Sequence, residues 1–307
     1  METCSLAPAK VILFGEHFVV RGLPALGMAI NLYAEACTGA GSGEVWSREL
    51  GLVHGKDKRS PQFAALMGSL GPGANNITIR ISSAIPVGAG LGSSAAIAVA
   101  SAHSALTYLR GVEPPKDEVN AVALAAERAV HVRPSGIDNT ISTYGGIIMY
   151  RAGVFRRIEA KWPEEIKILI ADTGVRRSTG SAVAGVLERY ERRRAIAEKI
   201  YQAAEELVLE AAERLAAGDF ATLGELMEMN QGLLYAMGAS SPEIEAIAWR
   251  LRTAGALGAK LSGAGRGGVV IALVEADKAA RVAKALEGLG VKHFFCSGDS
   301  TGVRAKG

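Results

Sequence analysis

The chain has 307 residues, 49% of them hydrophobic and 21% charged, a globular composition with room for one large domain or two ordinary ones. A formal net charge of +3, with bases interleaved among acids, excludes the charge signature of a nucleic-acid binder. No apolar run approaches the roughly 18 residues that cross a bilayer, and the opening METCSLAPAK lacks a signal-peptide pattern, so the chain reads as cytoplasmic with no membrane partner.

Cys4, Cys37 and Cys296 are odd in number and lack C-x-x-C spacing, which argues against a disulfide framework or a zinc site. Residues 9–20, AKVILFGEHFVV, hold two β-rich apolar runs broken at Gly15-Glu16-His17, predicting two strands with the polar residues at the break. Residues 76–85, NITIRISSAI, alternate apolar and polar, so Ile77, Ile79 and Ile81 line one face of a half-buried strand. That strand leads directly into PVGAGLGSSAA, residues 86–96. Ser93 or Ser94 is the expected cap of a helix that runs to about Leu109 and stops at Gly111.

A second helix is predicted from about Asp117 to Val130, burying Val119, Val122, Ala126 and Ala129, followed by a loop, HVRPSGIDNT. GGIIMY (145–150) and IKILIAD (166–172) read as strands. The polar, proline-containing AKWPEE between them is the expected boundary of two domains, 1–163 and 164–307. Residues 179–217 carry apolar positions at three- and four-residue spacing, an amphipathic helix with an expected bend near the run from Arg192 to Arg194. Helices follow near 219–235 and 242–254, then the loop KLSGAGRGG, the strand VVIALV, a helix from Asp277 and the strand VKHFFC. Strands and helices mixed through both halves predict an α+β fold.

Three glycines and two serines in eleven residues, at 86–96, need a reason. A dinucleotide fold wants G-x-G-x-x-G with an acid about 20 residues on, and this stretch reads G-x-G-x-G without one. A Walker loop needs a lysine before the hydroxyl residue, and GLGSSA has none. A third reading is a cradle in which Gly88, Gly90 and Gly92 let backbone N–H groups converge on a phosphate at a helix N-terminus. A merely tight loop of small residues competes with it.

PVGAGLGSSAA resembles the central motif of the GHMP small-molecule kinases. APAKVILFGEHFVVRGLPAL is similar to the N-terminal motif of the mevalonate-kinase branch, and KLSGAGRGG to the family's C-terminal glycine motif. RPSGIDN, ADTGVRRSTG and LMEMNQGLL are similar to segments of that branch in the same order, so the resemblance spans nearly the whole chain. It implies a ribosomal-S5-like N-terminal domain, a ferredoxin-like C-terminal domain, and a cleft between them where ATP meets its acceptor. The implied reaction is Mg²⁺- and ATP-dependent phosphorylation of the C5 hydroxyl of (R)-mevalonate, giving 5-phosphomevalonate.

By the same resemblance Asp138 meets the acceptor hydroxyl as base with Lys10 beside it; read alone, they are a loop Asx-turn residue and a solvated lysine. ATP falls to Pro86, Gly88, Ala89, Gly90, Leu91, Gly92, Ser93, Ser94, Ala95 and Ala96. Ser94 and Glu127 are the implied Mg²⁺ ligands, although the sequence does not separate Ser94 from Ser93. Glu16, His17, Arg177, Thr179, Gly263 and Gly265 are the implied acceptor contacts, and Thr179 reads equally as a helix N-cap. Arg266 stands where the family usually has glycine, directed either at the phosphates or at solvent. Two rivals stay open: a kinase for another small alcohol (phosphomevalonate, homoserine or a sugar), and a non-catalytic ATP-binding module. Oligomeric state is open too, a homodimer included.

Overall fold

The computed structural model describes every residue except 1, 50, 57, 131–134, 177 and 178. Strands β1 (Thr3–Phe14) and β2 (Ala25–Ala40) pair antiparallel along most of their length. The FVV run between them, expected as a strand, is a 3-10 turn over Phe18–Arg21. Gly15 has φ 92° and His17 φ 61°, and a chain passing through two left-handed positions cannot stay extended.

A hairpin of β3 (Glu44–Ser47) and β4 (Gly51–His54) precedes helix α1 (Pro61–Leu70) and strand β5 (Ile77–Ser83). Then come α2 (Ser93–Arg110), α3 (Lys116–Arg128), α4 (Ile137–Tyr144), β6 (Ile147–Arg151) and β7 (Val154–Ile158). The first sheet runs β1-β2-β5-β3-β4, with β6 on the N-terminal end of β2 and β7 beyond it. Ile77, Ile79 and Ile81 face α2 as their alternation requires, and each burial contributes roughly 2 kcal/mol. Alanines at 98, 102 and 105 let α2 lie close on that face.

Two expectations here are corrected. The N-cap of α2 is Gly92, in the left-handed conformation, and no serine side chain caps the helix. Asp138 lies in the first turn of α4, not in a loop, because Gly136 at φ 83° starts that helix early. In addition α3 stops at Arg128, which leaves Ala129 exposed beyond its buried stripe.

The second half begins with β8 (Ile166–Asp172), followed by α5 (Thr179–Arg192), α6 (Arg194–Ala217), α7 (Phe220–Ala236) and α8 (Pro242–Thr253). The expected bend is a break: Arg193, at φ −133°, separates α5 from α6. Strands β9 (Gly258–Ser262) and β10 (Val269–Glu275), helix α9 (Ala279–Lys284), β11 (Lys292–Cys296) and β12 (Arg304–Ala305) complete the chain. The second sheet is antiparallel in the order β11-β8-β10-β9, the ferredoxin-like arrangement. One apolar core joins the halves: Val11 and Leu13 of β1 share it with Ile168 and Ile170 of β8 and with α6 and α7. Finally β12 crosses back to pair with β1, held by Asp299, which accepts from Tyr33 Oη, Arg304 and two backbone N–H groups. Among the described residues no helix is long and apolar enough to cross a membrane.

The cysteine expectation is overturned for one pair. Cys4 and Cys37 stand directly opposite each other on β1 and β2 and are joined as a disulfide, while Cys296 is free and buried. An odd count rules out a full framework but says nothing about two residues that strand register brings face to face. The bond closes a loop with a sequence separation of 33. Reduction, or Cys37→Ala, should therefore lower unfolding free energy by about 4 kcal/mol. Denaturant titration with and without reductant checks this, and identical midpoints would show that the crosslink contributes nothing.

Candidate active site

The glycine stretch turns from β5 into α2 with Gly88, Gly90 and Gly92 at φ 72°, 84° and 75°. Between them Ala89 and Leu91 are buried in the shared core, so apolar anchors alternate with bare, outward-facing backbone. The bareness at two positions has a steric cause. A Cβ on Gly90 would lie 3.3 Å from Ser262 O at the end of β9, and one on Gly92 would lie 3.0 Å from both Cγ and Cε of Lys10. The lysine stem thus runs directly beneath the loop. With no side-chain cap, the first-turn N–H groups of α2 are left for an external acceptor.

Lys10, buried on β1, connects the two sides of the site. Its Nζ donates to Gly90 O at 3.0 Å and lies 3.2 Å from Asp138 Oδ1. Its own N–H donates to Leu91 O at 3.0 Å, so strand and loop are tied at the same residue. Asp138 keeps 38% of its side chain exposed, and its place in the first turn of α4 suits a carboxylate. Ser94 and Glu127, on α2 and α3, come together: Ser94 Oγ donates to Glu127 Oε1 at 2.6 Å. A hydroxyl and a buried carboxylate are hard oxygen donors of the kind Mg²⁺ takes when phosphates and waters fill its other positions, so this pair fits that ion.

Glu16 is turned inward. One carboxylate oxygen pairs with Lys260 Nζ of β9 and the other accepts from Asn230 Nδ2 of α7 at 3.1 Å. The ion pair is dry, with 0% of the lysine and 1% of the glutamate side chain exposed. Burial pushes the Lys260 pKa down, while Glu16 opposes the shift. A second crossing lies alongside, where Ser262 Oγ accepts from Ile12 N–H at 2.9 Å and donates to Ile12 O at 3.1 Å.

His17 follows Glu16 in its left-handed conformation, and its Nε2 donates to Ala264 O at 2.8 Å. Burial lowers its pKa to about 4, with the Arg266 charge adding to the shift and the Ala264 bond opposing it, so the ring is neutral at pH 7. Its Nδ1 is buried without a hydrogen-bond partner among the described residues.

Of the other expected acceptor contacts, Arg177 lies outside the described residues, as does the side chain of Thr179, the first residue of α5. Gly263 sits against Gly90, and Gly265 lies so close to Ala239 O that no Cβ fits. Ala95 and Ala96 are buried against the core, so their side chains serve packing. Of the two alternatives for Arg266, the side chain is exposed to solvent, with Nε donating to Gly238 O at 3.0 Å and the guanidinium against Gly185. Lys260, Asn230 and Ser262 were missed, although each lies inside a stretch quoted for its resemblance. A buried polar residue among apolar neighbours was the available signal, but its partner sits more than 200 residues away.

A glycine loop, a lysine–carboxylate pair and a hard-oxygen pair, gathered about the start of α2, are the parts that a phosphoryl-transfer site uses. The family model for the GHMP kinases N terminal domain matches residues 62–146 and that for the GHMP kinases C terminal matches 208–292; the chain belongs to the GHMP kinases. It is 38% identical over 290 residues to the mevalonate kinase of Aeropyrum pernix, covering 90% of this chain and 89% of that one. Its fold is similar to that of L. major mevalonate kinase in complex with R-mevalonate, with TM-score 0.81 and 30% identity over 96% of both chains. The Methanococcus jannaschii mevalonate kinase gives TM-score 0.83 and 27% identity over 97% of this chain and 99% of its own.

Two measurements follow from the buried groups. Lys260→Met strands a buried carboxylate and should destabilise by about 3–5 kcal/mol, whereas Lys260→Met with Glu16→Gln should recover most of that loss in denaturant titrations. His17 binds a proton below pH 6.5 when unfolded but only below about 4 when folded, so the unfolded chain holds more protons within that window. Its contribution to stability is therefore complete above pH 6.5 and lost on acidification, roughly 3 kcal/mol in all. His17→Asn, which tolerates the same backbone, should flatten that segment of the stability–pH curve; an unchanged slope would refute the assignment.

Proposed function

We propose that this chain transfers the γ-phosphoryl group of ATP to the C5 hydroxyl of (R)-mevalonate. The observation that carries the reading is the position of Lys10, hydrogen-bonded on one side to the glycine loop and paired on the other with a partly open carboxylate. The loop and the N-terminus of α2 receive the phosphates through backbone N–H groups. Asp138 holds the acceptor hydroxyl and takes its proton as the O–P bond forms. The Lys10 ammonium lies beside that carboxylate and beside the charge that develops on the acceptor oxygen. Ser94 and Glu127 hold Mg²⁺, which neutralises phosphate charge when bound. His17, neutral and held by Ala264 O, offers its unpartnered Nδ1 to the acceptor, while Glu16 is committed to Lys260 and Asn230.

The relatives named as mevalonate kinases support the choice of acceptor over another small alcohol. A coupled ADP-release assay with Mg-ATP across mevalonate, phosphomevalonate, homoserine and galactose tests it, with turnover expected on mevalonate alone. Asp138→Asn should then reduce kcat by about 10²-fold or more with the fold intact. Wild-type turnover in that variant removes the base assignment, and turnover on a different alcohol moves the acceptor.

A further inference from the structure

Gln62, at the start of α1, was singled out by neither its pattern nor its neighbours in the sequence. In the fold its amide nitrogen stands over both oxygens assigned to the metal. Nε2 lies 2.9 Å from Ser94 Oγ, 3.3 Å from Ser94 O and 3.1 Å from Glu127 Oε1. The orientation of the amide is set by chemistry, because every one of these atoms can accept and a carboxylate and a carbonyl can only accept. Donation to the buried Glu127 compensates part of the cost of keeping that carboxylate out of water.

The same arrangement cannot persist with a cation bound, because the amide hydrogens would face the ion. A glutamine side chain has an inexpensive alternative. Its terminal torsion is broad and roughly two-fold, and turning it half-way exchanges N–H₂ for a carbonyl oxygen of nearly the same shape. We propose that Gln62 is a third, switching member of the metal site. Its amide donates to Ser94 and Glu127 when the ion is absent and presents Oε1 to the ion or its water when the ion is present. This rests on reading Ser94 and Glu127 as metal ligands.

The test is a titration of Mn²⁺, in place of Mg²⁺, into the full-length chain saturated with ADP, with free Mn²⁺ counted by electron paramagnetic resonance. Gln62→Leu should weaken Mn²⁺ binding about 10-fold or more, as loss of an oxygen partner near a metal typically does. Gln62→Glu, with oxygens only, should bind at least as tightly as wild type. Mn²⁺ affinity unchanged or raised in Gln62→Leu means the amide is only a placeholder, and the proposal fails. Should Gln62→Leu prove unfolded by thermal melting, Gln62→Glu decides: weaker binding there overturns the proposal and equal or tighter binding supports it. Glu127→Gln separates the two layers of argument. If it binds Mn²⁺ like wild type, the metal reading itself falls and takes this inference with it; if it loses Mn²⁺ while Gln62→Leu does not, only the role of Gln62 falls.

Discussion

Two glycine loops, one from each sheet, lie against each other backbone to backbone, and the rest of the cleft depends on that contact. Gly90 meets the carbonyl of Ser262 and the Cα of Gly263, and Gly268 approaches the carbonyl of Ala89. A Cβ at Gly90, Gly263 or Gly268 would lie 3.0–3.3 Å from the facing backbone and push the two loops apart by a few tenths of an ångström. The density of glycine thus answers two demands at once: open N–H groups toward a ligand, and closeness toward the other half of the molecule.

The halves are also joined by polar groups removed from water. Glu16, Lys260 and Asn230 form one crossing and Ser262 with Ile12 another, both beside the apolar core shared by β1 and β8. A buried ion pair adds little net stability over an apolar substitute, but it tolerates few alternative geometries. Here the pair adjoins His17, whose ring is hydrogen-bonded to the C-terminal glycine loop. The surroundings of His17 are therefore built from both halves.

Charge is placed with economy around the site. The buried Lys10 faces the glycine loop and the carboxylate together, whereas Arg266 donates to Gly238 O. The neighbouring Arg176 lies against Gly88 with its guanidinium held in a two-point pair by Asp172.

Periodicity and composition by themselves determined the α+β class, the alternating face of β5, the long helices and the glycine turn into α2, because these depend on neighbours within a few residues. Resemblance across ordered motifs added Asp138, Lys10, Ser94 and Glu127, and the fold brings each pair together. Only tertiary structure decided that Cys4 faces Cys37, that Glu16 pairs with Lys260, that Arg266 turns to Gly238, and that Gln62 caps the hard-oxygen pair. Each of these depends on strand register or on contacts between segments far apart in the chain. A residue's local pattern reports whether it is buried, but the identity of its partner is set by packing that no local pattern contains.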